Sequence, residues 1–356
     1  MVEAIATLRN RQCRLAAHPR GTIEESNVAF VDSGVPVLGE DEVLLATRYV
    51  SVDPALRLYM DPDSFLARTP GRQSVLMKSG DVMRGWVVGE VVASRSDAFP
   101  IGSFARDLAG TAGVQAYCLV PAAGLVPVDP ALAPLSAYLG VLGMPGVTAY
   151  AGIVEIGRPR HGETVVVSGA AGAVGSLAGQ IARLQGCRVI GIAGGPDRCA
   201  HVERALGFDA CIDHKAGDLE DALERACPSG MNIYFDNVGG EVLDACLTRL
   251  APHARIVGCG FISGYHGTIA PLRNYMNLLS RQVRWECFSY FDLARDPERC
   301  AAIVARLATW LGEGAIRHHE QIFDGIESFV PAMKEIYGGR SKGKVLLRLA
   351  PGSAAP

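Results

Sequence analysis

The stretch VVVSGAAGAVGSLAGQIARL, Val165–Leu184, decides the fold. Three valines and Ser168 run into a turn made almost wholly of glycine and alanine, and the turn opens an apolar helical pattern. Gly169, Gly172 and Gly175 recur at three-residue steps. Without a Cβ, the backbone there can turn tightly and approach a pyrophosphate. The helix start beyond it offers unpaired N–H groups and the positive end of its dipole. Small residues also mark close helix–strand packing, so the turn alone is a weak signal. Its place between a strand and a helix, with the strand CRVIGIAGG at the expected distance, predicts a dinucleotide seat.

The same alternation continues on both sides. TVVVSG leads to SLAGQIARLQG, CRVIGIAGG to DRCAHVERALG, and NIYFDNVGG to EVLDACLTRLAP and the strand ARIVGCG. The helices carry apolar residues at three- and four-residue spacing, and the first two end at Gly186 and Gly207 in the manner of left-handed helix stops. Repeated βα units predict a doubly wound parallel sheet covered on both faces. Before about residue 125 the texture differs: EVLLATRYVSVDP, GWVVGEVVAS and VQAYCLVP are β-branched or aromatic runs punctuated by glycine and proline. They predict a β-rich, barrel-like unit. Beyond residue 295, DPERCAAIVARLATWLGEG predicts a long amphipathic helix starting near Asp296 and Pro297. A helix over Ile326–Tyr337, a strand KVLLRL and a disordered tail PGSAAP follow.

Length and composition set the bounds. A chain of 356 residues predicts two domains, and 49% apolar residues supply both cores. The net charge of −3, without a basic block, argues against nucleic acid as partner. The ten cysteines form no C-x-x-C pair and read as reduced, buried thiols of an intracellular protein. The opening segment has no signal-type apolar core, so no secretory signal is expected. Residues 130–154 carry no charged side chain, but their glycines and prolines predict a buried helix between domains rather than a membrane span. Cys199, His201, Cys211 and His214 lie close together without the spacing of a zinc module, so no metal is expected.

The end of the strand CRVIGIAGG selects the dinucleotide. A carboxylate there would bond the ribose hydroxyls of NAD, whereas space and a cation would suit the 2′-phosphate of NADP. Gly194 and Gly195 leave space and Arg198 is a phosphate clamp by geometry, which favours NADP. Asp197 as the ribose acid is the alternative. No serine-hydrolase elbow or triad order is present. Tyr265, in GCGFISGYHG, falls at the carboxyl end of the sheet, where it either polarises a substrate carbonyl or simply packs. FDNVGG also ends a strand and brings Asn237 toward the nicotinamide side.

Several ordered motifs resemble one family. SVDPALR, YLGVLGMPGVTAYAGI, the glycine turn, IYFDNVGGEVLDA, ARIVGCGFISGY and SKGKVLLRL are similar to the zinc-independent medium-chain dehydrogenases/reductases, in the branch of prostaglandin reductases and alkenal/one oxidoreductases. Within that branch, CIDHKAGDLEDALERACPSG resembles the bacterial curcumin reductases. The resemblance implies a Rossmann domain, residues 129–295, inserted into a GroES-like catalytic domain made of residues 1–128 and 296–356. It implies NADPH-dependent reduction of a carbon–carbon double bond conjugated to a ketone or aldehyde. Hydride would go to the β carbon and enolate charge to the carbonyl oxygen.

Carried over by position, Gly172, Ala173, Val174 and Gly175 would meet the pyrophosphate, and Arg198 the 2′-phosphate. His214 would lie near the adenosine. Asn237, Cys259, Gly260, Phe261, Ile262, Ser263, Gly264 and Tyr265 would line the cofactor, with Phe288, Ser289 and Tyr290. Tyr265 would also be the catalytic hydroxyl near the reacting enone, and Ser341 replaces an asparagine near the nicotinamide end. One departure concerns the substrate pocket: Ala55 stands after the proline of SVDP where the family has tyrosine, and Tyr59 is the nearest hydroxyl that could compensate. The expectation is a cytoplasmic, homodimeric enone reductase without membrane or nucleic-acid partners. A quinone reductase of the same superfamily and an NADP-binding redox sensor or structural protein without turnover are the alternatives.

Overall fold

The computed structural model describes residues 8–265 and 270–350; the PGSAAP tail lies outside the described residues. The chain divides into two compact units. One holds the chain up to Leu139 together with Gln321–Gly338 and the stretch from Val345 onward; the other holds Gly140–Glu320 and Gly339–Lys344.

The first unit is antiparallel. β1 (Arg9–Leu15) pairs with β2 (Val28–Gly34), and a seven-stranded sheet is built around β3 (Glu42–Ser51). β3 pairs with β4 (Val87–Ser94) along one edge, and β5 (Phe104–Asp107) follows β4. The other edge of β3 is shared: Glu42–Ala46 pair with β6 (Tyr117–Pro121), while Tyr49–Ser51 pair with the last strand of the chain. β7 (Leu125–Val128) pairs with β5. Leu44, Leu45 and Val50 are fully buried, as a strand that lines a barrel-like core requires.

The second unit is the doubly wound sheet that the alternation predicts. Its strands are β8 (Thr164–Ser168), β9 (Arg188–Ala193), β10 (Ala210–Asp213), β11 (Met231–Asp236), β12 (Leu250–Gly258) and β13 (Arg284–Cys287). They lie in the order β10-β9-β8-β11-β12-β13, and every neighbouring pair is parallel. Val165, Val166 and Val167 are completely buried, because helices cover both faces of a parallel sheet and leave no polar side to alternate with. Burial of each such side chain contributes about 1.5–3 kcal/mol. The chain then closes with β14 (Glu320–Asp324) and β15 (Lys344–Arg348), which extend the first sheet beside β3.

The helices are α1 (Met144–Tyr150), α2 (Ala173–Leu184), α3 (Pro196–Arg204), α4 (Leu219–Ala226), α5 (Gly240–Leu247), α6 (Pro297–Gly312) and α7 (Phe329–Tyr337), besides shorter turns. Gly186 and Gly207 sit at φ +79° and +73° just past α2 and α3, where only glycine adopts the left-handed conformation without strain. α6 starts where expected: the Asp296 carboxylate accepts the Arg299 N–H at 3.0 Å and Pro297 fills the first turn.

Two expectations differ from what is observed. The uncharged run of residues 130–154 is not one helix but a short 3-10 turn, α1 and a π-helical turn at Ala151–Gly157, and its Val141, Leu142 and Ala149 are fully buried. Among the described residues no helix is long and apolar enough to cross a membrane. The units also divide elsewhere than at 128/129 and 295/296. α6 belongs to the second unit, with Leu307 against Gly146 and Trp310 5.8 Å from the Tyr150 ring. Its amphipathic pattern announces a buried face but not the element that covers it.

Candidate functional site

The glycine turn is built by close approach. Gly169 turns the chain at φ +61°, and an added Cβ on Gly175 would collide with the Gly169 carbonyl. α2 therefore starts hard against the end of β8. Gly172 caps it with extended backbone and no side chain, so the first-turn N–H groups of α2, Ala173, Val174 and Gly175, have no capping side chain. A second segment lies over the turn: Gly343 pairs with Gly172, and the Gly343 N–H donates to the Ala171 carbonyl at 2.8 Å. That segment, Gly339–Lys344, carries Ser341, which is buried.

The carboxyl end of β9 opens into a cationic corner. Arg198 on α3 donates from Nη1 to the Gly339 carbonyl at 3.0 Å, and its Nε is buried without a partner. Burial, ahead of any neighbouring group, pulls its guanidinium below the ordinary range. At Gly194 an added Cβ would lie 2.9 Å from His214 Nε2 and 2.9 Å from Lys215 Cε. At Gly339 it would lie 3.4 Å from Arg198 Nη1 and 3.8 Å from Lys215 Nζ. Arg198 and Lys215 thus converge on one point, and among the described residues neither forms an ion pair. Asp197 is exposed on the first turn of α3. The nearby acid, Asp213, is committed to backbone. It accepts the N–H groups of Gly195 at 2.8 Å and Lys215 at 3.0 Å, and these hydrogen bonds hold its carboxyl below the usual range.

The ends of β11 and β12 form the other half. Asn237 donates from its side chain to the Ser168 carbonyl at 2.7 Å, and its N–H donates to Ser168 Oγ at 2.9 Å. Ser168 Oγ in turn donates to Asp236 at 2.9 Å. The same Asp236 oxygen accepts from the Tyr234 hydroxyl at 2.9 Å and from the Val238 and Gly239 N–H groups at 3.0 and 2.9 Å. Burial raises the Asp236 carboxyl above its usual value although these donors pull the other way. The buried acid ties the turn after β11 to the end of β8, and so fixes Asn237 beside Gly169.

Beyond β12, the Cys259 and Gly260 N–H groups both donate to the Asp236 carbonyl, at 2.9 and 3.1 Å, and burial pushes the Cys259 thiol up to about 12. Ser263 donates to the Val238 carbonyl at 2.6 Å and closes Ile262–Gly264 over the turn after β11, with Phe261 packed against Gly239. The Tyr265 hydroxyl comes within 3.3 Å of where a Gly260 Cβ would stand. The Phe288 ring lies against Gly152 beside Phe235, Ser289 caps the turn Tyr290–Leu293, and Tyr290 is buried.

Residues 11–128 match the family described as the N-terminal domain of oxidoreductase, and residues 173–308 match that described as zinc-binding dehydrogenase. The NADPH-dependent curcumin reductase of Escherichia coli (strain K12) is 38% identical over 350 residues, 96% of this chain and 97% of the relative. Prostaglandin reductase 1 of Rattus norvegicus is 36% identical, covering 94% of this chain and 97% of its own. The crystal structure of CurA from Vibrio vulnificus in complex with NADPH has a TM-score of 0.87 at 36% identity, covering 96% of this chain and 99% of that one.

The chain belongs to the medium-chain dehydrogenases/reductases, in their prostaglandin reductase and alkenal reductase branch.

For this member of the family, the anticipated residues of the second unit gather at the carboxyl ends of its strands, with His214 and Arg198 at the β9–β10 corner and Asn237 and Cys259–Tyr265 across the sheet. Lys215 and Asp236 were not anticipated. Lys215 follows His214 in sequence and carries no motif; only the folding of β10 beside β9 turns it toward Gly194. Asp236 hides inside FDNVGG as an ordinary strand-end acid. Among the described residues no cluster of three or more His, Cys, Asp or Glu side chains is placed to hold a metal ion. Cys199 and Cys211 instead lie near one another, and burial raises both thiols.

Ala55 and Tyr59 lie in the first unit. Ala55 precedes the short helix Leu56–Tyr59, which the buried Arg57 fastens by donating to the Gly21 and Pro19 carbonyls at 3.1 and 3.0 Å. The Tyr337 hydroxyl donates to the Pro54 carbonyl at 2.7 Å. Tyr59 is buried beneath Arg84, whose guanidinium carbon is 5.4 Å from the ring centre. Burial, ahead of its charged neighbours, raises the Tyr59 hydroxyl above the ordinary range.

Proposed function

We propose that the chain is an NADPH-dependent reductase of carbon–carbon double bonds conjugated to a ketone or aldehyde. Membership in the prostaglandin and alkenal reductase branch supports the reaction class, and the NADPH named with the curcumin reductase and bound in the CurA crystal structure supports the cofactor. The observation that carries the cofactor reading for this chain is the pair Arg198 and Lys215, two cations beside Gly194 that form no ion pair among the described residues. A dianionic 2′-phosphate fits that corner, and no carboxylate stands at the end of β9 to prefer a bare ribose. The N–H groups of Ala173, Val174 and Gly175 at the start of α2 would hold the pyrophosphate, and Asn237 with Cys259–Tyr265 the nicotinamide half.

When bound, NADPH supplies the hydride for the β carbon. The protein's part is then electrostatic. Tyr265 donates its hydroxyl proton as a hydrogen bond to the carbonyl oxygen, on which negative charge grows as the enolate forms. The network from Asp236 through Ser168 keeps Asn237 and the Gly239 turn from shifting during that step. Purified protein mixed with NADPH should reduce enones or alkenals to their saturated carbonyl products, identified by mass spectrometry. Turnover of quinones alone would reassign it to quinone reduction, and no turnover with any acceptor would reduce it to a binding protein. Tyr265→Phe should cost about 1–3 kcal/mol in the barrier to turnover with little change in NADPH affinity, whereas an unchanged kcat returns Tyr265 to packing.

We also infer a homodimer in the cytoplasm. β13 is an edge strand of the six-stranded sheet, its four residues are exposed, and exposed Met276, Leu279 and Trp285 accompany it. Such an edge is a template for a second copy. The free state of all ten cysteines fits a reducing compartment.

A further inference from the structure

The cationic corner at the end of β9 contains one group whose charge changes with pH. The end of β10 is pinned against it: the His214 N–H donates to the Ala193 carbonyl at 3.1 Å, and Asp213 accepts the Gly195 and Lys215 N–H groups. This anchoring aims the His214 ring at the glycine pair. Its Nε2 would lie 2.9 Å from a Cβ on Gly194, the same distance as Lys215 Cε. Lys215 Nζ and Arg198 Nη1 in turn come within 3.8 and 3.4 Å of a Cβ on Gly339. Three nitrogen-bearing side chains thus border one small space. Among the described residues the His214 imidazole forms no ion pair.

We propose that His214 is a proton-dependent specificity residue for the 2′-phosphate, its imidazolium joining Arg198 and Lys215 as a third cation when NADPH binds. The inference rests on the NADPH reading given above and adds a pH dependence to it. Its sign follows from the surroundings. The charged groups that act on the ring are Lys215 and Asp213 at its own strand end and Arg198 on α3. Burial first, then Lys215 and to a lesser degree Arg198, holds the imidazole below its ordinary range, while Asp213 opposes them. In the free protein the ring is therefore neutral at neutral pH. A dianion beside it favours the protonated form, so binding takes up a proton. Affinity for NADPH then rises as pH falls from about 8 toward the free-state value, which lies below the ordinary histidine value of about 6.5. NADH carries no phosphate at this point, and no such dependence follows for it. Asp213 does not supply the effect, because its backbone donors keep it ionised throughout this range.

Fluorescence titration with NADPH and NADH between about pH 6 and 8.5 tests this for the intact protein, His214→Gln and His214→Lys. The ratio of the His214→Gln Kd for NADPH to that of the intact protein should grow from near unity at the alkaline end to about tenfold at the acid end, the strength of one charge-assisted hydrogen bond. The 2′-phosphate takes up its own second proton at about pH 6, but this acts on every variant and cancels in the ratio. His214→Lys, with a permanent charge, should bind NADPH tightly and lose the pH dependence. A constant ratio across the range overturns the proposal and leaves NADPH as the cofactor. Equal Kd values for NADPH and NADH in the intact protein at every pH overturn the NADPH reading, and the role of His214 with it. The His214 ring resonances, followed by NMR with and without adenosine 2′,5′-bisphosphate, give a readout without turnover. The titration midpoint should rise when the nucleotide is added, and an unchanged or lower midpoint overturns the proposal.

Discussion

Two side chains that converge on one point define the proposed cofactor corner, and only one of them announces itself. Arg198 reads as a clamp because it follows a glycine pair at a strand end; Lys215 reaches the same point from the next strand. Among the described residues neither forms an ion pair, so each should contribute to holding a phosphate dianion. Arg198→Ala and Lys215→Ala are each expected to weaken NADPH binding by about ten- to hundredfold, while NADH binding changes little. Fluorescence titration with both cofactors measures this, and equal losses for the two dinucleotides would falsify the 2′-phosphate role. At the residue scale the tight turn and helix start of Gly169–Gly175 were legible, because glycine spacing encodes close backbone approach. Asp236 was illegible, since its importance comes from complete burial and four donors on one oxygen, which no linear pattern encodes.

Elements meet at positions where the sequence has no room to spare. α2 starts against the β8 turn because Gly175 carries no Cβ, so Gly175→Ala should push the helix off the Gly169 carbonyl. The expected cost is about 1–3 kcal/mol in urea unfolding, with a parallel loss of dinucleotide affinity. Wild-type stability with normal NADPH binding would show that the turn relaxes freely. α3 meets the chain before β14 through a second contact: His201 stacks edge-on with His319 at 4.6 Å, and His201 Nε2 is buried without a partner. Burial first, then the charges of His319, Lys342 and Arg198, lowers the His201 imidazole; burial, His318 and Arg317 lower that of His319. Folded-state values below the unfolded ones mean that the unfolded chain takes up protons first as pH falls. Stability from this pair is therefore present above about pH 6.5, the ordinary histidine value, and declines as pH falls through the depressed folded values. Thermal unfolding of His201→Gln/His319→Gln between neutral and mildly acidic pH should show a shallower fall than the intact protein. Parallel slopes would remove the pair from the account.

At the scale of the whole molecule, the exposed edge of β13 is the feature that an isolated chain leaves unresolved. Leu279 is 73% and Met276 57% exposed, and Trp285 lies on the strand itself. Apolar side chains beside an unpaired strand invite a second copy. A double substitution, Leu279→Lys with Trp285→Glu, should convert a dimer into monomers of unchanged circular dichroism, read by light scattering after size-exclusion chromatography. Monomeric behaviour of the unaltered protein would end the dimer reading. The β-rich start, the βα alternation and the positions of α2, α3 and α6 were all readable, because each depends on periodicity and local stop signals within a dozen or so residues. The allegiance of α6 was not, since one apolar face fits any complementary surface; it is contacts made after folding, such as Leu307 against Gly146 and Trp310 beside Tyr150, that join it to the second unit.

The sequence by itself determined what is local. A run of buried valines, a turn that only glycines can make and helices with regular stops specify a doubly wound sheet with a tight glycine turn at the head of α2, because backbone sterics and burial act between near neighbours. The tertiary structure alone decided what is assembled from a distance. It brought Lys215 beside Arg198, sealed Asp236 under four donors and set the Arg84 guanidinium over the Tyr59 ring. Charge and desolvation depend on the full surroundings of a group, and those surroundings exist only once strands remote in sequence lie side by side.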